Sequence, residues 1–130
     1  MLFRSERSKN LQRLSFVAAE LARAGAAVIL APTVSSQAAR DTIKNTILQQ
    51  AGAGSNFFAI NVATPLEHCE ANDRKGVYAR ARRGEISGVP GVDETFEPFE
   101  RPQLTVDITR QNVPEIVHSV VLLLETESLL

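Results

Sequence analysis

The sequence predicts an α/β fold: a parallel sheet covered by helices on both faces, in three layers. Two observations carry this expectation. Segments with apolar residues at helical spacing alternate with short, mostly apolar strand-like segments, in the order α-β-α-β-α-β-α. The strand-like segments are Ala26–Ala31 (AAVILA), whose unbroken apolarity is the pattern of a strand buried on both sides, Phe57–Ala63 (FFAINVA), again mostly apolar, and Leu104–Ile108.

Each element has local punctuation. A helix is expected from near Ser8, with Leu11, Leu14, Val17, Ala18 and Leu21 on its apolar face and Gly25 as its stop. Pro32 closes the first strand, since proline cannot supply a ladder donor. A second helix runs from about Ser36 to Ala51, with Ala39, Ile43 and Ile47 on one face, and Gly52-Ala53-Gly54 ends it. After the second strand, Pro65 suits the first turn of a helix, where its missing N–H is no loss. Another helical piece covers about Lys75–Arg83, and Gly84–Gln103, with three glycines and three prolines, reads as a long irregular loop. The final helix opens at Asn112, with Glu115 completing a capping box, and Ile116, Val117, Val120, Val121 and Leu124 form its apolar face. The 130 residues contain no internal repeat, low-complexity tract or linker, and a single domain is expected over 1–130.

Composition narrows the function. A net charge of −1 gives no bulk attraction to nucleic acid or to a membrane surface. No apolar run approaches the ~18 residues that span a bilayer, and the first residues lack a signal peptide's apolar core. One cysteine permits no internal disulfide and fits a reducing compartment, so a soluble, cytoplasmic protein is expected. The cations are locally concentrated: Arg74, Lys75, Arg80, Arg82 and Arg83 fall within ten residues, just before Gly84, Gly88 and Gly91. A strand edge, a cationic helix and a glycine loop together suit a small phosphorylated ligand. The same charges also suit a solvated helix face, with Glu67, Glu70 and Asp73 nearby to balance them. Cys69 stands between His68 and Glu70, but consecutive helical residues point ~100° apart and cannot converge on one ion. No metal site is expected; the neighbouring Arg74 and Lys75 would lower the thiol's pKa if they approached it.

The ordered words ATPLEHCE, NDRKGVYARARRGEISGVPGVDETFE and RSERSKNLQRLSFVAAELARAGAAVILAP resemble the adenosine 5′-phosphosulfate (APS) kinases, and the resemblance covers essentially the whole chain. HCE, ARRGEI, GVD and the ending IVHSVVLLLE…LL are most similar to the APS kinase-like domain at the C-terminus of fungal ATP sulfurylases. The resemblance implies a P-loop-kinase-like fold. It also implies that Arg7 and Asn10 grip an APS-type ligand, with Arg40, Lys75 and Arg80 as further ligands to sulfate or phosphate. Thr64 and Pro65 would lie against an adenine, and Gly88 and Gly91 would let a lid close.

Departures from the family pattern are as informative. No Gly-x-x-x-x-Gly-Lys-Ser/Thr occurs, so the phosphate-cradling loop, its strand and its helix are expected to be missing, leaving a gap between Ala26–Ala31 and Phe57–Ala63. Where family kinases carry Ser-Pro-Tyr stand Val34, Ser35 and Ser36. The lid's Lys-Gly-Phe-Thr-Gly reads Ser87-Gly88-Val89-Pro90-Gly91, and Asp-Asp-Pro-Tyr-Glu reads Asp93-Glu94-Thr95-Phe96-Glu97. Loss of a base-stacking aromatic removes ~1–3 kcal/mol, roughly ten- to hundredfold in affinity. No catalytic residue is therefore assigned. Three alternatives follow: a non-catalytic regulatory domain binding 3′-phospho-APS (PAPS), with an ATP sulfurylase catalytic domain as partner and a homo-oligomeric state; the C-terminal part of an active APS kinase; or a ligand-free structural remnant. No cofactor other than such a nucleotide is implied.

Overall fold

The computed structural model describes residues 4–130. The elements, in chain order, are α1 (Arg4–Arg23), α2 (Gln37–Ala51), β1 (Ile60–Val62), α3 (Leu66–Ala71), α4 (Val77–Arg82), β2 (Leu104–Val106) and α5 (Val113–Thr126). They fall into two compact units: residues up to Phe57 with Val77–Pro98, and Phe58–Gly76 with Phe99–Leu130.

The first unit is built on α1 against α2. Ala18, Ala19, Ile43, Ile47 and Ala51 are buried at its centre, and Leu11, Ala22, Val28, Leu30, Val34 and Phe57 pack around them. Ala19 is 0% exposed; side chains this small let the two helix backbones approach closely. Ser15 shares the buried face, and its hydroxyl donates to the Leu11 carbonyl at 2.8 Å, which satisfies it without a partner helix. The inward face of α1 is therefore turned from the one expected. Leu11 and Ala18 face inward as predicted, but Val17 and Leu21 are exposed. Close alanine-mediated packing, rather than the bulkiest side chains, sets the helix rotation.

Both helix ends follow local chemistry. After α1 the Ala26 N–H donates to the Leu21 carbonyl at 3.0 Å and the Gly25 N–H to Ala22 at 2.9 Å, with Gly25 at φ +92°. This is the left-handed glycine cap the sequence indicated. Ser36 caps α2 by accepting from the Ala39 N–H at 3.3 Å.

Ala26–Ala31, expected as a strand, belongs to no strand among the described residues. Val28 and Leu30 pack onto the α1–α2 core while Ile29 between them is 95% exposed. Alternate side chains thus point to opposite sides, as in a strand, but one side is bare and no neighbour within its unit supplies a ladder.

In the second unit β1 and β2 pair in parallel, with Ile60 opposite Leu104, Asn61 opposite Thr105 and Val62 opposite Val106. Both strands are shorter than expected. Phe57 packs with the first unit's core, and Ile108 lies beyond β2. The α/β class with a parallel sheet is confirmed. Pro65 precedes α3 as its N-cap, and the cationic helix expected over Lys75–Arg83 narrows to α4. The capping box opens α5: the Asn112 side chain accepts from the Glu115 N–H at 2.9 Å, and Glu115 accepts from the Asn112 N–H at 2.7 Å. On α5, Val117 is 54% exposed and Val121 is also exposed, while Ile116, Val120 and Leu124 are half-buried.

Ile47, 6% exposed, is expected to lose ~2–5 kcal/mol of stability on substitution by alanine. Val117→Ala should change stability by no more than about 0.5 kcal/mol. Urea unfolding of the two variants measures both.

Candidate functional site

In the first unit, Arg7 and Asn10 stand one turn apart on α1 and line a cleft of about 450 Å³. Leu11 and Leu14 of the same helix form its floor, and Ile29, Leu30, Ala31, Pro32 and Thr33 form the opposite wall. Two sequence-predicted ligand residues are thus brought together where the apolar Ala26–Ala31 segment ends. The arrangement combines a cation, an amide and an apolar surface.

Arg7 is engaged by the glycine loop. Its Nη1 donates to the Gly88 carbonyl at 3.1 Å and its Nη2 to Glu94 Oε2. The other Glu94 carboxylate oxygen accepts from the Ser35 hydroxyl. The loop itself is a compact turn. Asp93 accepts from the Gly88 and Val89 N–H groups, both at 2.7 Å, and the Gly91 N–H donates to the Glu94 carbonyl at 2.8 Å. These bonds from Val89 and then Gly88, with a smaller contribution from Arg7, hold the Asp93 carboxyl below its usual range. Gly88 has φ +74°, which favours glycine; a Cβ there would stand 3.5 Å from Glu94 Oε2 and 3.6 Å from Arg7 Nη2. Gly91 has φ +87°.

Arg40 is buried and fully engaged. Its Nε donates to Val34 O at 3.3 Å, Nη1 to Gln37 Oε1 at 3.1 Å and Pro98 O at 3.0 Å, and Nη2 to Ser35 O at 3.4 Å and Glu97 O at 2.7 Å. A guanidinium has five N–H groups, and each has an acceptor here. The guanidinium carbon also lies 4.9 Å from the Phe96 ring centroid, within cation–π range. Burial lowers the Arg40 pKa, and the nearby Glu97 and Asp41 carboxylates oppose that shift. Arg80 of α4 is half-exposed, with its Nε 3.5 Å from Glu85, which Arg83 also pairs at 2.6 Å. Such exposed pairs contribute little stability.

In the second unit, Thr64 and Pro65 follow the carboxyl end of β1. The Thr64 hydroxyl accepts from the Ile108 N–H at 3.3 Å, which ties together the ends of the two parallel strands. The Pro65 carbonyl accepts from the His68 and Cys69 N–H groups at 3.0 and 3.1 Å. Asp107 lies at the same end; its carboxylate accepts from the Thr109 hydroxyl at 2.7 Å and N–H at 2.8 Å, which lowers its pKa. Lys75 is exposed in the turn before α4. Cys69 is half-buried with its Sγ 3.9 Å from the Thr64 carbonyl. Among the described residues no three His, Cys, Asp or Glu side chains gather as metal ligands, and no helix is long and apolar enough to cross a membrane.

Sequence reasoning named Ser35 and Glu94 as departures from a family pattern without seeing that they meet. No local signal reports a contact between residues 59 positions apart. Asp107, by contrast, was readable: Asp-x-Thr is the signature of a side chain that accepts from its own following turn.

The profile described as adenylylsulphate kinase matches residues 2–107. The chain belongs to the adenylylsulphate kinase family. It is 58% identical over 125 residues to a sulfate adenylyltransferase of Mycosarcoma maydis, covering 96% of this chain and 22% of that protein. A sulfate adenylyltransferase of Neosartorya fischeri is 50% identical over 124 residues, covering 95% and 21% respectively. The chain therefore spans about a fifth of the length of these curated relatives. Its structure is similar to the Mycobacterium tuberculosis APS kinase solved with AMPPNP and APS, at a TM-score of 0.84 and 33% identity, over 96% of this chain and 70% of that one. The likeness establishes the family's P-loop-kinase fold, here without a P-loop motif in the sequence.

Asp93 links this geometry to pH. Its folded pKa is depressed, so its stabilisation is complete above the unfolded value of about 3.9 and is lost as pH falls through the lower folded value. Asp93→Ala is expected to melt at lower temperature than the unaltered chain at pH 7, with the difference shrinking below pH 4. Melts at pH 7, 4 and 3 measure it.

Proposed function

We propose that this chain is a non-catalytic APS kinase-like domain of sulfate assimilation. In this reading it binds PAPS, or a related adenine nucleotide, and regulates an ATP sulfurylase catalytic domain. The observation that supports it best is the placement of Arg7 and Asn10 together in one cleft beside an apolar wall, in a chain without a phosphate-cradling Gly-x-x-x-x-Gly-Lys-Ser/Thr. Ligand recognition is retained while the group that would activate ATP is not among these residues. The share of the fungal sulfate adenylyltransferases that this chain matches supports the choice of partner.

In this proposal residues 1–130 act as one domain. Arg7 and Asn10 hold the sulfate or phosphate groups of the ligand, and Lys75 and Arg80 supply further cations. Thr64 and Pro65 face the adenine, as the carboxyl ends of parallel strands commonly face ligands. Gly88 and Gly91 give the lid its turn. Arg40 acts through position: with all five N–H groups bound to protein, it shapes the wall rather than contacting the nucleotide. Regulation follows from differential binding, with PAPS favouring one arrangement of a homo-oligomeric cytoplasmic assembly over another.

A second reading is favoured by the likeness to a kinase solved with AMPPNP and APS. In it the chain supplies the APS side of an active adenylylsulfate kinase, and the ATP-binding loop comes from sequence outside these residues.

Calorimetric titration separates the readings. Saturable PAPS binding, with no heat from ATP and Mg²⁺, is expected for the regulatory domain. Arg7→Ala should weaken PAPS about tenfold or more, since a hydrogen bond to a charged group contributes ~1.5–3 kcal/mol. ATP-dependent phosphorylation of APS by the full-length protein would instead establish the kinase. No heat with any nucleotide, from a chain that melts cooperatively, would leave only a structural remnant.

A further inference from the structure

The ligand position at Arg7 already holds an oxyanion. Glu94 places one carboxylate oxygen on the Arg7 guanidinium and the other on the Ser35 hydroxyl, and both charged side chains are only 13% exposed. Gly88 borders the pair, with no side chain to separate them. A sulfate or phosphate group would seek the same donors, because a planar guanidinium fork and a hydroxyl suit either kind of oxyanion.

The carboxylate is presented by a turn that is closed independently of it. Asp93 caps the Gly88 and Val89 N–H groups, and the backbone of Glu94 is bonded to Gly91 and Val89. Glu94 is therefore tethered beside Arg7 at the high effective concentration of an intramolecular group. Its side chain can leave Arg7 without the turn coming apart.

We infer that Glu94 is a built-in competitor for the Arg7 oxyanion position, displaced when a sulfate- or phosphate-bearing ligand binds. This rests on the reading of Arg7 as a ligand residue. The apparent affinity for ligand is then lowered by the fraction of molecules in which Glu94 occupies Arg7. Binding also releases the Glu94 side chain from Arg7 and Ser35, which leaves the Arg7 bond to the Gly88 carbonyl as the turn's remaining tie to that arginine.

The test is calorimetric titration of the full chain, as it stands and as Glu94→Gln, with PAPS and separately with inorganic sulfate. Glu94→Gln keeps the shape and removes the charge. If Glu94 holds Arg7 in nine-tenths or more of the molecules, relief raises affinity roughly ten- to hundredfold. A second substitution, Arg7→Gln, is expected to abolish that gain. Ser35→Ala removes one of Glu94's donors while leaving Arg7 paired, and a smaller gain is expected; it carries the test if Glu94→Gln does not melt cooperatively. Equal or weaker binding of both probes after these substitutions overturns the inference, even if PAPS binds the unaltered chain. Tighter sulfate binding by Glu94→Gln with no PAPS binding by any form would sustain the competitor and sink the nucleotide reading. Binding of neither probe by any form overturns both.

Discussion

The first unit's site depends on one buried cation. Arg40 donates to the carbonyls of Val34 and Ser35 on one side and to those of Glu97 and Pro98 on the other. These segments are about sixty residues apart in sequence, and the Ser35 carbonyl also accepts from the Glu97 N–H. A guanidinium with every N–H satisfied can be desolvated without leaving an orphaned donor, which is what makes its burial tolerable. Clamped in this way, Ser35 comes within reach of Glu94, and Glu94 in turn reaches Arg7. The placement of Ser35 beside the glycine turn thus follows from one arginine's geometry.

Arg7 and Arg40 also show how like residues separate into different roles. Both were legible in the sequence as arginines at family positions. Five protein acceptors fix Arg40, whereas Arg7 gives N–H groups to Gly88 and Glu94 and faces a cleft. A ligand can compete for Arg7 at the cost of one ion pair. Competing for Arg40 would mean undoing the clamp that joins Val34 and Ser35 to Glu97 and Pro98. Motif spacing alone cannot distinguish these cases, because the acceptors around Arg40 are mostly main-chain carbonyls and leave no trace in residue identity.

What the sequence made legible was local. The glycine cap after α1 and the Asn112–Glu115 box each lie within a few residues, and both are present. The α/β class was legible from alternating patterns, and the parallel pairing of β1 with β2 agrees. The failures are all non-local. The rotation of α1 is set by alanines meeting α2, and a burial pattern ranked by side-chain size points to the wrong face. Ala26–Ala31 has a strand's composition and its alternation, yet a ladder requires a neighbour, and none stands among the described residues of its unit. The 95% exposure of Ile29 marks the side left uncovered. The resemblance supplied site residues that composition could not, but not the contact between Glu94 and Arg7.

That contact is best understood through the two adjacent acids of the turn. Asp93 and Glu94 are consecutive, yet they act in opposite directions. Asp93 turns back on its own loop, and the N–H groups of Val89 and Gly88 favour its ionised form. Glu94 turns outward to residues distant in sequence. Closure of the loop therefore rests on Asp93, while its attachment to Arg7 rests on Glu94 together with the Gly88 carbonyl. A loop whose closure depended on Glu94 would lose its shape whenever a ligand took Arg7. With Asp93 holding the turn, the proposed displacement would leave the turn's shape intact.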